Sequence, residues 1–582
     1  MKPEKSSLQT FFKANLIFIL AVILRILFGM ALGIWFPATE QCDDVLMLEY
    51  ASIRTHFTQP NLFSMVKYMA YPLFLDVVRI SHLPYAFFTG LLWSFAALSA
   101  RQVFKAFDPF RLLSSEKAGK FLEYGIFFYT LFLPIAFEQE GGLRMYRNGI
   151  IAPLTILFLA FLLLNLVRLF RGREGKKVMI FLPLALGVIF TYTYYIKEDG
   201  IWFLAVLLFF DILLLVNLLV SLIRRGRPSS SLLLNGALVI AVPLLVFALS
   251  TGVYVKINQH FFGVSETNTR TSGELGEFVQ SVYAVDSPDQ TDAIWSPLSA
   301  IDQVFSASET LQSRPDLYEH LLQNPWSSGD LKTNPLKGDY LSWAIRYAAD
   351  CSWNHVWNEA EISAFFHQVN VEIDAAFESG KLKKTSRIRL LPSGGSKSPE
   401  DVRKLVPLTF EAVKTALFLT GYDAGVQYRT EEEIYLPRLY DAALFARTPS
   451  LADHSRLFKV RAFAAGVSRV IFWIYRIVNG ILAFLTLAGL VLSAIRLIRS
   501  VRKKELRIGN PELLTILFLA LFFLGLGVVY AFSICWFSSF LFAEGLIRVI
   551  LIFYTVSLPA ILVFAFGFGI SSLILSRPSW KG

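Results

Sequence analysis

The sequence predicts an all-α polytopic membrane protein of about ten transmembrane helices, with one large domain, mixed or mainly helical, between the seventh and eighth. Three observations carry this. The chain is 54% hydrophobic and only 17% charged, against about 45–50% and about 25% in soluble domains. Its mean hydropathy is +0.51. The apolar residues come in nearly uncharged blocks of roughly 20, the length a helix needs to cross a ~30 Å hydrocarbon core. Inside lipid each backbone amide must be paired within its own segment, so the blocks are read as helices.

The blocks lie near 14–36, 84–106, 121–137, 150–167, 178–195, 200–222, 232–254, 467–495, 512–534 and 545–574. The first follows Lys2, Lys5 and Lys13 and exceeds a signal-peptide core, so it is read as a retained span. The last exceeds one crossing and is expected to tilt or to turn near Pro559. Four loops, 101–120, 168–177, 224–227 and 496–507, each carry three to six Lys or Arg. Basic residues gather on the cytoplasmic side. All four loops obey that rule if both termini are cytoplasmic, which places the large domain outside. The net charge of +10 is explained by the same loops, and no nucleic-acid partner is expected.

Three units follow: a transmembrane module over 1–255 with an outer loop at 38–83, an extracytoplasmic domain over 256–466, and C-terminal helices over 467–582. The domain opens on a polar stretch, Thr267 to Gly276, and continues through a Trp-rich region with Trp295, Trp326, Trp343, Trp353 and Trp357. Apolar residues from Trp357 to Phe377 repeat at helical spacing. The stretch Leu391 to Pro399 reads as a loop. The domain holds no Asn-x-Ser/Thr sequon, which points to a bacterial cell membrane. Cys42, Cys351 and Cys535 lack the spacing of a zinc site or a disulfide framework. No internal repeat suggests the inverted-repeat plan of many carriers.

The informative polar residues sit at predicted span ends on one side of the membrane. They are Glu40-Gln41-Cys42-Asp43-Asp44, the run Glu138 to Asn148, and Lys197-Glu198-Asp199-Gly200. Short loops need polar residues merely to end helices, so each group has a plain structural reading. Adjacent Asp43 and Asp44 are more pointed, because two neighbouring carboxylates repel unless a cation or donor compensates. The segment Met65 to Ile80 is apolar but carries Lys67, Pro72, Asp76 and Arg79, so it reads as an amphipathic helix or pair in the membrane interface.

A first span, an outer loop with a paired acidic motif at Asp43-Asp44, and interfacial helices together resemble the GT-C type of integral-membrane glycosyltransferase. The protein O-mannosyltransferases and aminoarabinose transferases are of this type. The resemblance covers roughly the first 255 residues, by layout rather than extended identity. It implies transfer of a sugar from a polyprenyl-phosphate carrier at the outer membrane face to a saccharide, lipid or protein acceptor. It implies Asp43 or Asp44 as general base. A leaving phosphate needs cations, and Arg144, Arg147, Lys67, Arg79 and Lys197 are the candidates, with Glu138, Glu140, Glu198 and Asp199 as supporting acids. A divalent Mg or Mn is compatible with the resemblance, and the metal stays open.

Alternatives stay open beside it. Arg144 and Arg147 can serve only to neutralise Glu138 and Glu140. Arg25, inside the first span, is expected to meet an acidic partner in the bundle. A transporter or flippase of a lipid-linked or cell-envelope substrate would draw on Arg25, Asn165, Asp211, Asn217 and Asn235, a sparse set. A non-catalytic membrane scaffold would leave the acidic loop residues individually dispensable.

Overall fold

Lipid offers the backbone no hydrogen-bond partner, so the apolar blocks close their amides as helices. A computed structural model of the chain describes residues 7–35, 43–107, 116–171, 176–225, 230–425, 454–502, 511–542 and 547–576. Residues 40–42 of the acidic motif, Arg111, Arg173, Arg227, Lys503, Lys504 and Arg507 of the basic loops, and 426–453 lie outside the described residues. No strand forms among the described residues.

Helix α1 (Ser7–Leu32) is followed by the short α2 (Asp43–Ala51) and α3 (Ile53–Thr58). The interfacial segment folds as α4 (Ala70–Ser81), which meets α5 (Tyr85–Phe107) at a bend of 119°. One face of α4 buries Tyr71, Leu75 and Val78, while Leu73, Val77 and Ile80 stand exposed. A helix apolar on both faces suits a position between protein and lipid. Next come α6 (Glu116–Leu131), α7 (Asn148–Arg171), α8 (Lys176–Tyr194), α9 (Ile201–Arg225) and α10 (Ser230–Phe262).

The insert between the two sets of long helices is helical. Its elements are α11 (Gly273–Ala284), α12 (Leu298–Ala307), α13 (Glu309–Gln312), α14 (Pro315–Leu322), α15 (Leu341–Ser352), α16 (Glu359–Glu378) and α17 (Pro399–Phe418). The expected helix near Trp357 to Phe377 is α16, and a loop leads from 391 to the capping box of Ser398 and Asp401 that opens α17. The chain closes with α18 (His454–Arg502), α19 (Pro511–Ser538), α20 (Ile547–Tyr554) and α21 (Leu558–Ser576). The long final block is thus broken over 555–557, with Pro559 in the first turn of α21, where its missing N–H costs nothing.

Among the described residues eight helices are long and apolar enough to cross a membrane, and nine if α4 with α5 is one bent span; α8 contributes a shorter apolar stretch, Ile180–Tyr194. Helices α7 and α21 form the buried centre, whereas α1, α10 and α18 expose most of their apolar surface. Helices α18 and α21 approach at Gly489 and Gly569, where a Cβ would collide with the facing backbone or with Thr486. Small residues allow such approach where burial from water gives no driving force. Asn165 donates to the carbonyls of Phe161 and Leu182, tying α7 to α8.

Arg25 corrects an expectation. Its Nε donates to the Leu131 carbonyl at 3.2 Å and its guanidinium lies 4.4 Å from the Phe137 ring centroid. A carbonyl at the end of α6, left without a helical donor, takes the place of an acid.

The insert has its own core around Phe278, Trp295, Val304, Leu341, Ile345 and Phe366. Phe540, just past α19, enters that core, and Leu62 from the loop after α3 packs against it. Helix α17 instead packs with the long helices, through Leu405, Ala412 and Ala416. The insert's core is thereby joined to the segments that follow α3 and α19.

Candidate functional site

Helix α2 begins with Asp43 and Asp44 in its first turn, where amide donors and the helix dipole favour negative charge. Consecutive residues on a helix point about 100° apart, so the two carboxylates enter different surroundings.

Asp44 is 1% exposed and meets Arg144. Arg144 Nε lies 3.1 Å from each carboxylate oxygen and Nη2 lies 2.5 Å from Oδ2. Arg144 Nη1 donates to Glu140 at 2.8 Å. Burial pushes the Asp44 carboxyl upward, and the Arg144 charge and hydrogen bonds pull against it. Burial likewise raises Glu140 against Arg144. The same arginine lies over the rings of Tyr146 and Phe553. Every face of this guanidinium is engaged in holding the 139–144 turn to α2. The turn is also tied to the end of α1, through the Trp35 amide on the Leu143 carbonyl at 2.9 Å.

Asp43 looks into a different group. Its Oδ2 accepts from Lys67 Nζ at 2.7 Å and from the Tyr146 hydroxyl at 2.8 Å, with Arg147 at 3.8 Å. Its Oδ1 accepts no hydrogen bond from the described residues, and the side chain is 36% exposed. Burial alone would raise this carboxyl, but Lys67, Arg147 and the Tyr146 hydroxyl outweigh it and hold it well below the carboxylate range.

Around Asp43 the cations converge on a second acid. Glu198 receives Arg147 at 2.7 Å and has Lys67 at 3.9 Å and Arg270 at 4.0 Å. Arg270 pairs in turn with Asp339 at 2.7 Å. Trp343 lies against both Lys67 and Arg270, 5.3 and 5.1 Å from its ring centroid. Lys197 is buried beside the group, donating to Asn148 at 3.3 Å; burial lowers its pKa and Asp199 opposes that most strongly. Burial also lowers Lys67, against Asp43 and Glu198. Among the described residues, three buried atoms in the cluster, Arg147 Nε, Arg270 Nε and Glu198 Oε1, find no hydrogen-bond partner. Buried polar atoms of this kind are normally satisfied. Glu198 Oε1 instead has Lys67 and Arg270 beside it, at 3.9 and 4.0 Å.

The sequence-predicted residues therefore divide. Asp43, Lys67, Arg147 and Glu198 meet in one cluster, with Lys197 and Asp199 at its edge. Asp44, Glu140 and Arg144 form a closed neighbouring triad. Glu138 joins neither: its carboxylate accepts the Gly141 amide at 2.7 Å and caps the turn, and burial raises its pKa well above the ordinary range. Arg79 pairs with Asp76 on its own helix and is not among the groups around Asp43. Neither Arg144 nor Arg147 pairs with Glu138; Arg144 takes Glu140 and Arg147 takes Glu198.

Sequence reasoning missed Arg270, Asp339, Trp343 and Tyr146. The polar stretch containing Arg270 and the Trp-rich region were visible as composition. Nothing in the linear order links residue 270 to residue 198. Among the described residues no three His, Cys, Asp or Glu side chains are grouped to hold a metal ion. No family model, no curated protein and no solved structure matches this chain.

Proposed function

We propose that the chain is a membrane glycosyltransferase of the GT-C type, which moves a sugar from a polyprenyl-phosphate carrier to an acceptor hydroxyl. One observation carries this reading: Asp43 keeps Oδ1 free of hydrogen bonds among the described residues, while Lys67 and Arg147 gather at its Oδ2 and Arg270 stands beside the neighbouring Glu198. A base and an anion site side by side are what displacement of a phosphate from an anomeric carbon requires.

In this reading the acceptor oxygen attacks the anomeric carbon and gives its proton to Asp43. The bond between that carbon and the phosphate oxygen breaks, and its electron pair leaves with the phosphate. Lys67, Arg147 and Arg270 stabilise the charge that develops there. This set replaces the one expected from sequence: Arg144 serves Asp44 and Glu140, Arg79 serves Asp76 and Lys197 stands at the edge on Asn148, while Arg270, paired with Asp339, also stands beside Glu198 and enters from the insert. Asp43 is a weak base while Lys67 and Arg147 hold it. A phosphate that draws those cations away returns Asp43 toward ordinary carboxylate basicity, so binding of the donor would switch the base on. Asp44 is the anchor that orients α2.

The proposed setting is a bacterial cell membrane, with ten spans, both termini cytoplasmic and the insert outside. The exposed apolar face of α4 supports a place at the headgroup level, where a polyprenyl phosphate must sit. A Mg or Mn ion remains open.

The test uses purified full-length protein and polyprenyl-phosphate sugars, with release of polyprenyl phosphate as readout. Asp43→Asn should slow it about 10²–10⁴-fold, the usual cost of a lost general base. Undiminished release by Asp43→Asn removes the mechanism.

A further inference from the structure

We infer that the cavity between the insert and the end of α19 is the acceptor subsite and that it takes a saccharide; this rests on the glycosyltransferase reading above. The cavity has a volume of about 320 Å³ and is lined by Trp326, Asn334, Pro335, Lys337, Tyr340, Phe540 and Leu541. That is the low end of ligand sites, about 300–1,000 Å³. A sugar ring has an apolar C–H face and a hydroxylated rim. The lining matches both, with indole, phenol and phenyl rings beside an amide, an ammonium and a hydroxyl. A hydrocarbon chain would need no such polar groups, and burying them against it without partners would cost binding.

The cavity is built on fixed parts. Trp326 stands on a short 3-10 turn, Pro325–Ser327, capped by Asn324 Oδ1 accepting the Ser327 amide at 3.1 Å. Gly338 has φ +54 and packs so tightly on the Phe540 ring that a Cβ would overlap it. Its amide donates to Ala293 at 2.8 Å. Phe540 is itself held against Trp295, centroids 5.2 Å apart.

The cavity also adjoins the cluster. Tyr340 follows Asp339, the partner of Arg270, and feels the charge of Asp43. Trp326 is stacked on Trp343 at 6.3 Å and 18°, and Trp343 in turn covers Lys67 and Arg270. A saccharide resting on Trp326 is thus one aromatic side chain away from the proposed phosphate site. An acceptor must occupy that relation to a donor.

The experiment titrates the full-length protein in nanodiscs with lactose, N,N′-diacetylchitobiose and a hyaluronan disaccharide, read by saturation-transfer NMR. At least one should bind. Trp326→Ala should weaken it roughly five- to tenfold, as removal of an aromatic stacking partner does. Because Trp326 also packs on Trp343, the exposed Asn334→Ala and Lys337→Ala serve as second variants that leave the core intact; at least one should weaken binding. Polyprenyl phosphate affinity should stay unchanged in Asn334→Ala and Lys337→Ala. Binding of none of the three sugars overturns the inference, as does sugar binding indifferent to all three variants. Competition by decanoate but by no sugar assigns the cavity to an acyl chain and overturns it too. If the sugar binds through Trp326 but polyprenyl phosphate does not bind at all, the transferase reading falls while the saccharide site stands.

Discussion

Replacing Asp44 by Asn separates the two adjacent acids. Asp44 is 1% exposed and its carboxylate receives both Nε and Nη2 of Arg144. Removing one partner of a buried ion pair typically costs about 3–5 kcal/mol, because the other charge stays buried. Arg144 keeps Glu140 at 2.8 Å, so the lower end applies, about 3 kcal/mol, or roughly a hundredfold in the folding equilibrium. The melting temperature of purified Asp44→Asn should therefore fall by several degrees, while transfer at a temperature where it is folded stays within roughly tenfold of wild type. Asp43→Asn should differ. It leaves the buried Lys67 with Glu198 at 3.9 Å, so melting falls as well, but transfer is lost even at a temperature where the protein is folded. The assay is thermal unfolding and donor turnover on the same preparations. An unchanged melting temperature with abolished transfer in Asp44→Asn would exchange the roles of the two acids and refute the division drawn from their burial.

Other outcomes follow from the same contacts. Arg147→Gln and Lys67→Ala should each weaken polyprenyl-phosphate binding about 10–150-fold, the worth of a charge-assisted hydrogen bond, whereas Arg144→Gln should lower the melting temperature and Arg79→Gln should change neither; a direct lipid-binding titration decides. His56 lies among Tyr50, Phe57 and Phe262, and burial lowers its pKa to about 4 from 6.5. The unfolded chain binds that proton more readily, so stability is lost as pH falls from 6.5 toward 4, on the order of 3 kcal/mol. His56→Phe should flatten the melting temperature over that window, and an unaltered acid slope would place the loss on other groups. Gly338→Ala adds a Cβ against Phe540 at φ +54 and should cost at least about 2 kcal/mol, seen as a lower melting temperature. For orientation, cysteines introduced at the exposed Ser265 and Ser328 of a cysteine-free chain should react with an impermeant thiol reagent from outside, and one at Ser114 should not.

The long helices were legible because lipid enforces a simple rule, about 20 apolar residues per crossing, and α7, α9 and α10 follow it. The short helix α4 was legible as an apolar segment too short and too charged to cross, but its bend of 119° against α5 was not. The pairing at the site was only half legible. Like charges at 43 and 44 announce a need for cations, but the choice between Arg144, Arg147 and Lys67 depends on which way each side chain turns. Glu138 and Glu140 look equivalent in sequence, yet one caps a turn and the other completes a salt-bridged triad. Arg270 was illegible because its partners, Glu198 and Asp339, are contacts of the tertiary fold. Arg346 shows the same thing: buried in the insert, it donates to the Leu62 carbonyl at 2.6 Å and so fixes the loop that delivers Lys67.

The most direct measurement is a structure of the full-length protein with decaprenyl phosphate bound in a nanodisc. The phosphate should lie within about 3 Å of Lys67 and Arg147, hydrogen-bond distance, with Arg270 beside it and Asp43 Oδ1 open toward the solvent side. A lipid phosphate held elsewhere, with the ion pairs of Asp43 and Glu198 unchanged, would contradict the assignment of this cluster as the donor site.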